Sequence, residues 1–293
     1  MVNYNPKVWI KLVFHAYSRQ VMRTLTPAIL FMAAFSGGLC YLLLDVLRLH
    51  ENDFKPTIAM HSLLGIVLGL FLVFRMNSAY DRWWEGRKLW GSFVNNTRNL
   101  AHKLNAFLDK EDQKNRIWFA QMIPNLVVSV KEQLREGAKP SDLDLIEEEG
   151  FLDQLKGVKH LPNRLSSMLY SRINDLYKKK ILSGDQLFMV DKELKEFSEI
   201  MGACERIKNT PIPYSYTMYI KQFIFIYVIT LPFAFVTTSG YLTIVMVSLI
   251  TFVLLSVELI AEEIEDPFGR DINDLPTDEL AVKIKDNVRE ILL

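Results

Sequence analysis

"SLLGIVLGLFLVFRMNSAYDRWW", Ser62–Trp84, runs thirteen residues without a charge and then meets Arg75, Asp81 and Arg82 with nothing that would end a helix. A helix lying in water keeps a polar face, and between Ser62 and Phe74 there is none. Gly65 and Gly69 lie four residues apart, the small-xxx-small spacing that lets membrane helices approach closely. Ile66, Leu70 and Phe74 form a second face about 100° round from the glycines. Ordinary helix association accounts for the glycines as well as any special role does. Periodicity leaves the apolar triplet facing either lipid or a pore.

Crossing a hydrocarbon layer of about 30 Å takes about 20 helical residues. Four segments qualify: 25–47, 57–74, 220–236 and 241–260. The third is the weakest, with Lys221 at its start and Pro232 inside it, a kink that a membrane helix tolerates when neighbours satisfy the freed carbonyl. "TTSG", Thr237–Gly240, leaves room only for a tight hairpin into the fourth. Lys7, Lys11, Arg19 and Arg23 precede the first span without any acid, and 75–219 is dense in Lys and Arg, including Lys178–Lys180. The segment Arg48–Pro56 carries two bases and two acids. By the excess of positive charge on the cytoplasmic side, both termini and the regions 75–219 and 261–293 are cytosolic, with two short loops outside.

Composition agrees. Thirty-four basic and thirty-four acidic residues cancel, which predicts no nucleic-acid partner. A mean hydropathy of +0.11 beside 23% charged residues requires the apolar content to be segregated into blocks. The leading residues lack the short apolar core and cleavage site of a secretory signal and are expected to stay in the mature protein. Cys40 and Cys204 make neither a disulfide framework nor a zinc spacing and read as small buried residues. His15, His50, His61, His102 and His160 are scattered, without an HExxH pair, and no Walker or GxGxxG sequence occurs. Nothing here supports an enzyme.

The cytosolic stretches are helical in pattern. The segment after Ser62–Trp84 continues the second span with Trp83, Trp90, Val94 and Leu100 on one stripe. A helix opened by the acids near Glu111 is expected to break at Pro124 and stop at Gly137. "AKPSDLDLIEEEG" reads as loop plus a short helix, its run Glu147–Glu149 a solvated helix end. Another helix starts at Pro162 and Asn163, a further one is capped by Ser183 or Asp185, and the last begins at Pro276–Asp278. Residues 1–293 are expected to act as one unit.

Four motifs recur in a familiar order: Arg82–Trp84, the Cys-x-Arg of Cys204 and Arg206, "TPIP" at Thr210–Pro213, and "DPFG" at Asp266–Gly269 followed by acids. With the four spans, they make the chain resemble the bestrophin family of ion channels, its bacterial branch in particular, over nearly its whole length. The resemblance implies an all-α integral membrane protein that assembles with itself as a homopentamer around one axial pore. It also implies a bacterial inner membrane and passage of monovalent ions across the lipid bilayer. It places the narrow neck of the pore on Ile66, Leu70 and Phe74, with Leu70 standing where animal members have an aromatic residue. An apolar ring cannot replace an ion's hydration shell, so a narrow neck dewets and closes, and Gly65 and Gly69 would give the helix room to shift. A second, cytosolic aperture falls on Phe188, or on Leu187 if the register slips by one; a bundle-core position is the plainer account of Phe188.

No cofactor is required. Animal members carry a calcium clasp after "Pro-Phe-Gly", and the matching residues are Glu263, Asp266, Asp271 and Asp274, with Ile272 and Asn273 in place of two further acids. Calcium takes six to eight oxygens, and a helix-capping loop at Asp274 or Thr277 explains the same residues. Ion sign stays open: chloride fits the family, sodium or potassium some bacterial relatives. A secondary carrier or a non-conducting membrane scaffold are the alternatives. A carrier usually has a repeated half or a charged group in mid-membrane, and neither is expected in this chain.

Overall fold

The structure, a computed structural model, describes residues 16–48, 55–148 and 150–293, with side chains in the two leading helices from residues 21 and 58. Lys7, Lys11, His15, His50 and Glu149 lie outside the described residues. Among those described there are helices and turns and no strand: α1 (Ala16–Cys40), α2 (Lys55–Phe107), α3 (Gln113–Gln133), α4 (Phe151–Leu155), α5 (Leu161–Lys178), α6 (Gly184–Asn209), α7 (Tyr214–Ser239), α8 (Leu242–Glu265) and α9 (Thr277–Leu292). Four are long and apolar enough to cross a membrane, over Val21–Val46, Ile58–Phe107, Tyr214–Ser239 and Leu242–Glu265. The all-helical, four-span expectation therefore stands.

The ends of the spans differ from the sequence reading, each for a local reason. The first continues past Cys40 as a π-helical turn, Tyr41–Val46, with Leu47 N–H donating to Leu42 O at 2.9 Å. The third starts at Tyr214, directly after Pro213, instead of at residue 220. Thr237–Ser239 were assigned to the hairpin loop, but they complete α7. The turn shrinks to Gly240 and Tyr241, which works because Gly240 takes φ +54° without a Cβ to clash. The fourth runs on to Glu265, beyond residue 260.

The chain packs as two compact units, Met1–Arg82 with Pro211–Glu265, and Trp83–Thr210 with Asp266–Leu293. In the first, Met32, Leu68, Leu72, Ile220, Ile224, Val228, Leu231 and Val247 make the apolar core shared by α1, α2, α7 and α8. In the second, Trp90 and Phe93 of α2 pack on α3, α5, α6 and α9, with Phe93 edge-on to both Trp90 and Phe197.

Pro124 does not break α3, contrary to expectation. Met122, Ile123, Leu126 and Val127 around it are almost wholly buried, and their packing offsets the roughly 3 kcal/mol an interior proline costs. The helix instead ends at Gln133, and Gly137 closes the following turn at φ +94°, its N–H donating to Glu132 O. The next helix, α5, starts at Leu161 with Pro162 in its first turn, as expected, and His160 caps it by accepting the Asn163 N–H on Nδ1 at 3.2 Å. Ser183 caps α6 through a reciprocal pair with Gln186.

The start of α9 is tied to α3 by charge. Arg135 donates to both Asp278 oxygens and to Thr277 Oγ1, and Lys131 Nζ lies 2.7 Å from Asp278 Oδ1. Hydrogen bonds from Arg135, and then from Lys131, hold the Asp278 carboxyl well below the usual carboxylate range, against a smaller opposing effect of burial. A depressed folded-state pKa contributes stability above the unfolded value and loses it as pH falls through the folded one. Asp278→Asn is expected to lower the unfolding temperature of the detergent-solubilised chain at pH 7. That difference should shrink as the pH drops below about 4, which parallel melting curves of the two proteins would measure.

Candidate pore-lining site

Within the first unit α2 buries one narrow seam. His61, Leu68, Leu72, Arg75 and Ala79 are buried, and steps of three, four or seven residues keep them on one side of the helix. Ile66, Leu70 and Phe74 lie off that seam and are 72%, 56% and 54% exposed in the single chain. Leu63, Val67 and Val73 are exposed as well, so the open apolar surface is wider than the triplet alone. The two glycines part company: a Cβ on Gly65 would come within 2.7 Å of the Tyr227 hydroxyl, whereas one on Gly69 would meet nothing within 4 Å. Gly65 lets α7 come close; Gly69 faces open space in the single chain.

The seam contains a full charge. Arg75 has no exposed surface, and its guanidinium lies 2.7 Å from Glu265 and 3.5 Å from Glu258, both on α8. These are ion pairs by proximity, without the alignment of true hydrogen bonds. Glu265 also accepts the Ile212 N–H at 2.8 Å, and its carbonyl accepts from Arg82 Nε at 3.0 Å. One glutamate thereby ties the Arg82 motif and the Thr-Pro-Ile-Pro motif to the end of α8. Beside it Lys221 pairs with Glu262 at 3.0 Å, while Asp81 is exposed. Nearby in the same unit, His61 Nε2 lies 3.0 Å from Thr230 Oγ1.

Glu258 lies near the end of the expected span 241–260, not in mid-membrane, and is 5% exposed. The signal was a single acid in an apolar run, which in a membrane helix marks a buried partner. Glu265 carried no such signal, because it stands among other acids.

In the second unit Phe188 projects from the first turns of α6 and is 76% exposed, while Leu187 packs partly buried against the core. The two residues of the alternative registers thus face different surroundings. Cys204 of the Cys-x-Arg motif is wholly buried, and burial, then the charges of Glu205 and Glu85, push its thiol up to about 12.

The acidic positions after α8 mostly hold their own loop. Asp266 pairs with Lys208 at 2.5 Å. Asp274, 2% exposed, accepts the Asp271 N–H at 2.6 Å, and a Cβ on Gly269 would come within 2.6 Å of its carboxylate. Trp83 Nε1 donates to Asn273 O, Leu275 N–H to Pro267 O, and Phe268 packs where a Cβ on Gly86 would touch it at 3.1 Å. Asp266 Oδ1 and Asp274 Oδ1 are buried without a hydrogen bond, while the other oxygen of each is held by Lys208 and by the Asp271 N–H. Among the described residues no three His, Cys, Asp or Glu side chains gather to hold a metal ion. The last helix starts at Thr277, one of the two starts expected, with Pro276 before it in the cap position and Thr277 Oγ1 held by Arg135.

Residues 1–290 match the family of bacterial and fungal bestrophin proteins. The chain belongs to the bestrophin family. A voltage-dependent anion channel-forming protein of Nostoc sp. is 38% identical over 231 residues, 78% of this chain and 75% of that protein. A protein of the same description from Synechocystis sp. is 29% identical over 293 residues, 98% of this chain and 93% of that one. Among solved structures, a bacterial bestrophin homolog from Klebsiella pneumoniae superposes with a TM-score of 0.81 at 30% identity, covering 90% of this chain and 97% of that one. Bestrophins are ion channels, so this family member is a membrane channel protein and not an enzyme.

Removing one partner from a buried ion pair strands the other and costs about 3–5 kcal/mol. Arg75→Gln is expected to destabilise the protein on that scale, and Arg75→Lys by less. Denaturant unfolding in mild detergent, followed by tryptophan fluorescence, would measure both.

Proposed function

We propose that five copies of this bestrophin surround one axial pore, with α2 of each copy lining it, and that the pore passes monovalent anions across a bacterial inner membrane. The whole chain acts as one channel unit with both termini cytosolic. The observation that carries this reading is the exposure of Ile66, Leu70 and Phe74 on a helix whose opposite seam is fully packed. An apolar stripe at a spacing of four on an otherwise committed helix suits a ring of equivalent helices, each contributing one side chain per level.

Length supports the same arrangement. At 1.5 Å per residue the 53 residues of α2 span about 80 Å, more than twice a hydrocarbon layer, so one helix both crosses the membrane and extends beyond it. The neck formed by the triplet offers no ligand to an ion. It closes by dewetting when narrow and conducts weakly hydrated ions when widened. Phe188, exposed at the start of α6, forms the cytosolic aperture. The family's descriptions favour anions over sodium or potassium, since the Nostoc and Synechocystis relatives are anion channel-forming proteins. In a secondary carrier or a scaffold the triplet would face lipid instead of a water-filled pore.

The pore needs no cofactor, and the acidic loop after α8 serves to hold Trp83 and Phe268 in place. Calcium is therefore expected to leave the current unchanged, whether chelated or supplied.

Purified protein in a planar bilayer under a potassium chloride gradient tests the reading. Discrete conductance steps reversing toward the chloride potential are expected, from a particle whose mass in mild detergent equals five chains. Replacing Ile66, Leu70 and Phe74 together with alanine should raise the open fraction several-fold without changing the mass. Phe188→Ala should alter the conductance of the open state. Smooth saturable flux would favour a carrier, no current at all a scaffold, and reversal toward potassium would overturn the anion assignment alone.

A further inference from the structure

The first half of α6 buries a seam of side chains, and one of them is charged. Val190, Leu194 and Phe197 are apolar, and Glu193 among them is 5% exposed. Steps of three and four residues place all four on one side of the helix. A carboxylate in such a seam costs more than an apolar side chain of the same size would, unless a counter-charge meets it. The counter-charge comes from α2. Lys103 Nζ lies 2.6 Å from Glu193 Oε1 and also donates to Met189 O at 2.8 Å. The two side chains are 24% and 6% exposed, so water and salt screen this pair less than a surface bridge.

The pair stands next to Phe188. A main-chain carbonyl at 189 and a side chain at 193 are one helical turn apart, so a single ammonium grips both and fixes the turn that follows Phe188. Phe188 itself is 76% exposed, and its place is dictated by the backbone that bears it. Leu187 and Val190 press the same stretch onto the core of the second unit. Further along, Phe93 of α2 lies edge-on to Phe197 with ring centres 5.6 Å apart. The two helices thus pass in opposite directions, with the ring contact and the lysine contact about 15 Å apart along α2.

We propose that Lys103 is the positioning residue of the cytosolic aperture: by tying Met189 O and Glu193 to α2, it sets where Phe188 stands. This rests on the reading of Phe188 as that aperture. The lysine acts through α6 and not on the passing ion. Without it Glu193 is a buried carboxylate lacking its cation, and the way for that carboxylate to regain water is for the first turns of α6 to lift away from α2. The Phe188 side chains then lose their fixed spacing, and the width of the aperture changes.

Two measurements on the full-length protein test it. In hydrogen exchange followed by mass spectrometry in mild detergent, Lys103→Met should quicken exchange over residues 187–193 roughly tenfold, the scale of one lost hydrogen bond to a charged group. Residues 198–209 should keep the wild-type rate. In planar-bilayer recordings the same variant should shift the open-state conductance when Phe188 is present and leave it unchanged in a Phe188→Ala background, a non-additivity that general destabilisation would not produce. Glu193→Gln releases the same tie without stranding a charge and should reproduce both effects, which keeps the test decisive if Lys103→Met fails to fold. Lys103→Arg should retain wild-type conductance. Lys195→Met, which removes the exposed Lys195–Glu199 pair on the same helix, should do nothing to either readout. Unchanged exchange over 187–193, or a conductance untouched by Lys103→Met and Glu193→Gln while Phe188→Ala alters it, would overturn the role of Lys103 alone. A silent Phe188→Ala would overturn the aperture reading, and the proposal with it.

Discussion

A guanidinium with no exposed surface, set between two glutamates at the end of an apolar run, is the constraint around which the first unit is arranged. Arg75 cannot be buried alone, because stripping an ion of water costs several kcal/mol that only a close counter-charge returns. Glu258 and Glu265 supply it, and they fix the register of α8 against α2. Once that register is set, Leu68 and Leu72 meet the core of α7 and α8. The other sides of α2 are then left bare. The exposed triplet is thus a consequence of which seam the buried arginine commits to the interior.

The residues that identify the family and the residues that face outward are largely different sets. Trp83, Gly86, Phe268, Gly269 and Asn273 belong to the most recognisable words of the sequence, yet each is spent on closing a loop against α2. Gly86 and Gly269 are there because a Cβ would meet a ring or a carboxylate. The acids after "Pro-Phe-Gly" share that work: Asp274 holds the turn through the Asp271 N–H, and Asp266 answers Lys208. A motif can be diagnostic because it builds a scaffold, without touching whatever passes through the protein.

Exposure in the first unit falls into two chemical kinds. The triplet on α2 is apolar and without a buried polar group, as suits a surface that meets its own copies or a dewetting pore. The cavity between α1, α7 and α8 instead has charged residues at one end, Lys221, Glu258 and Glu262, with the Glu258 carboxylate buried against Arg75.

Read without coordinates, the chain already declared its class: four apolar runs of membrane length, a glycine pair, and motifs in the bestrophin order. Such features are local, since span length, charge and spacing follow directly from residue type and the 3.6-residue turn. Local reading failed where packing overruled propensity. Pro124 stays inside a helix because its neighbours are buried, and Thr237–Ser239 extend α7 because Gly240 alone can make the turn. The choice between Leu187 and Phe188 was open to a shift of one residue until the side chains could be seen to differ in burial. Arg75 was visible as a charge ending an apolar run, but its partners stand more than 180 residues away. Sequence by itself determined which segments enter a membrane and which faces are apolar. Tertiary structure alone decided which charges are buried together, because the energy of an ion pair depends on a distance that chain order does not encode.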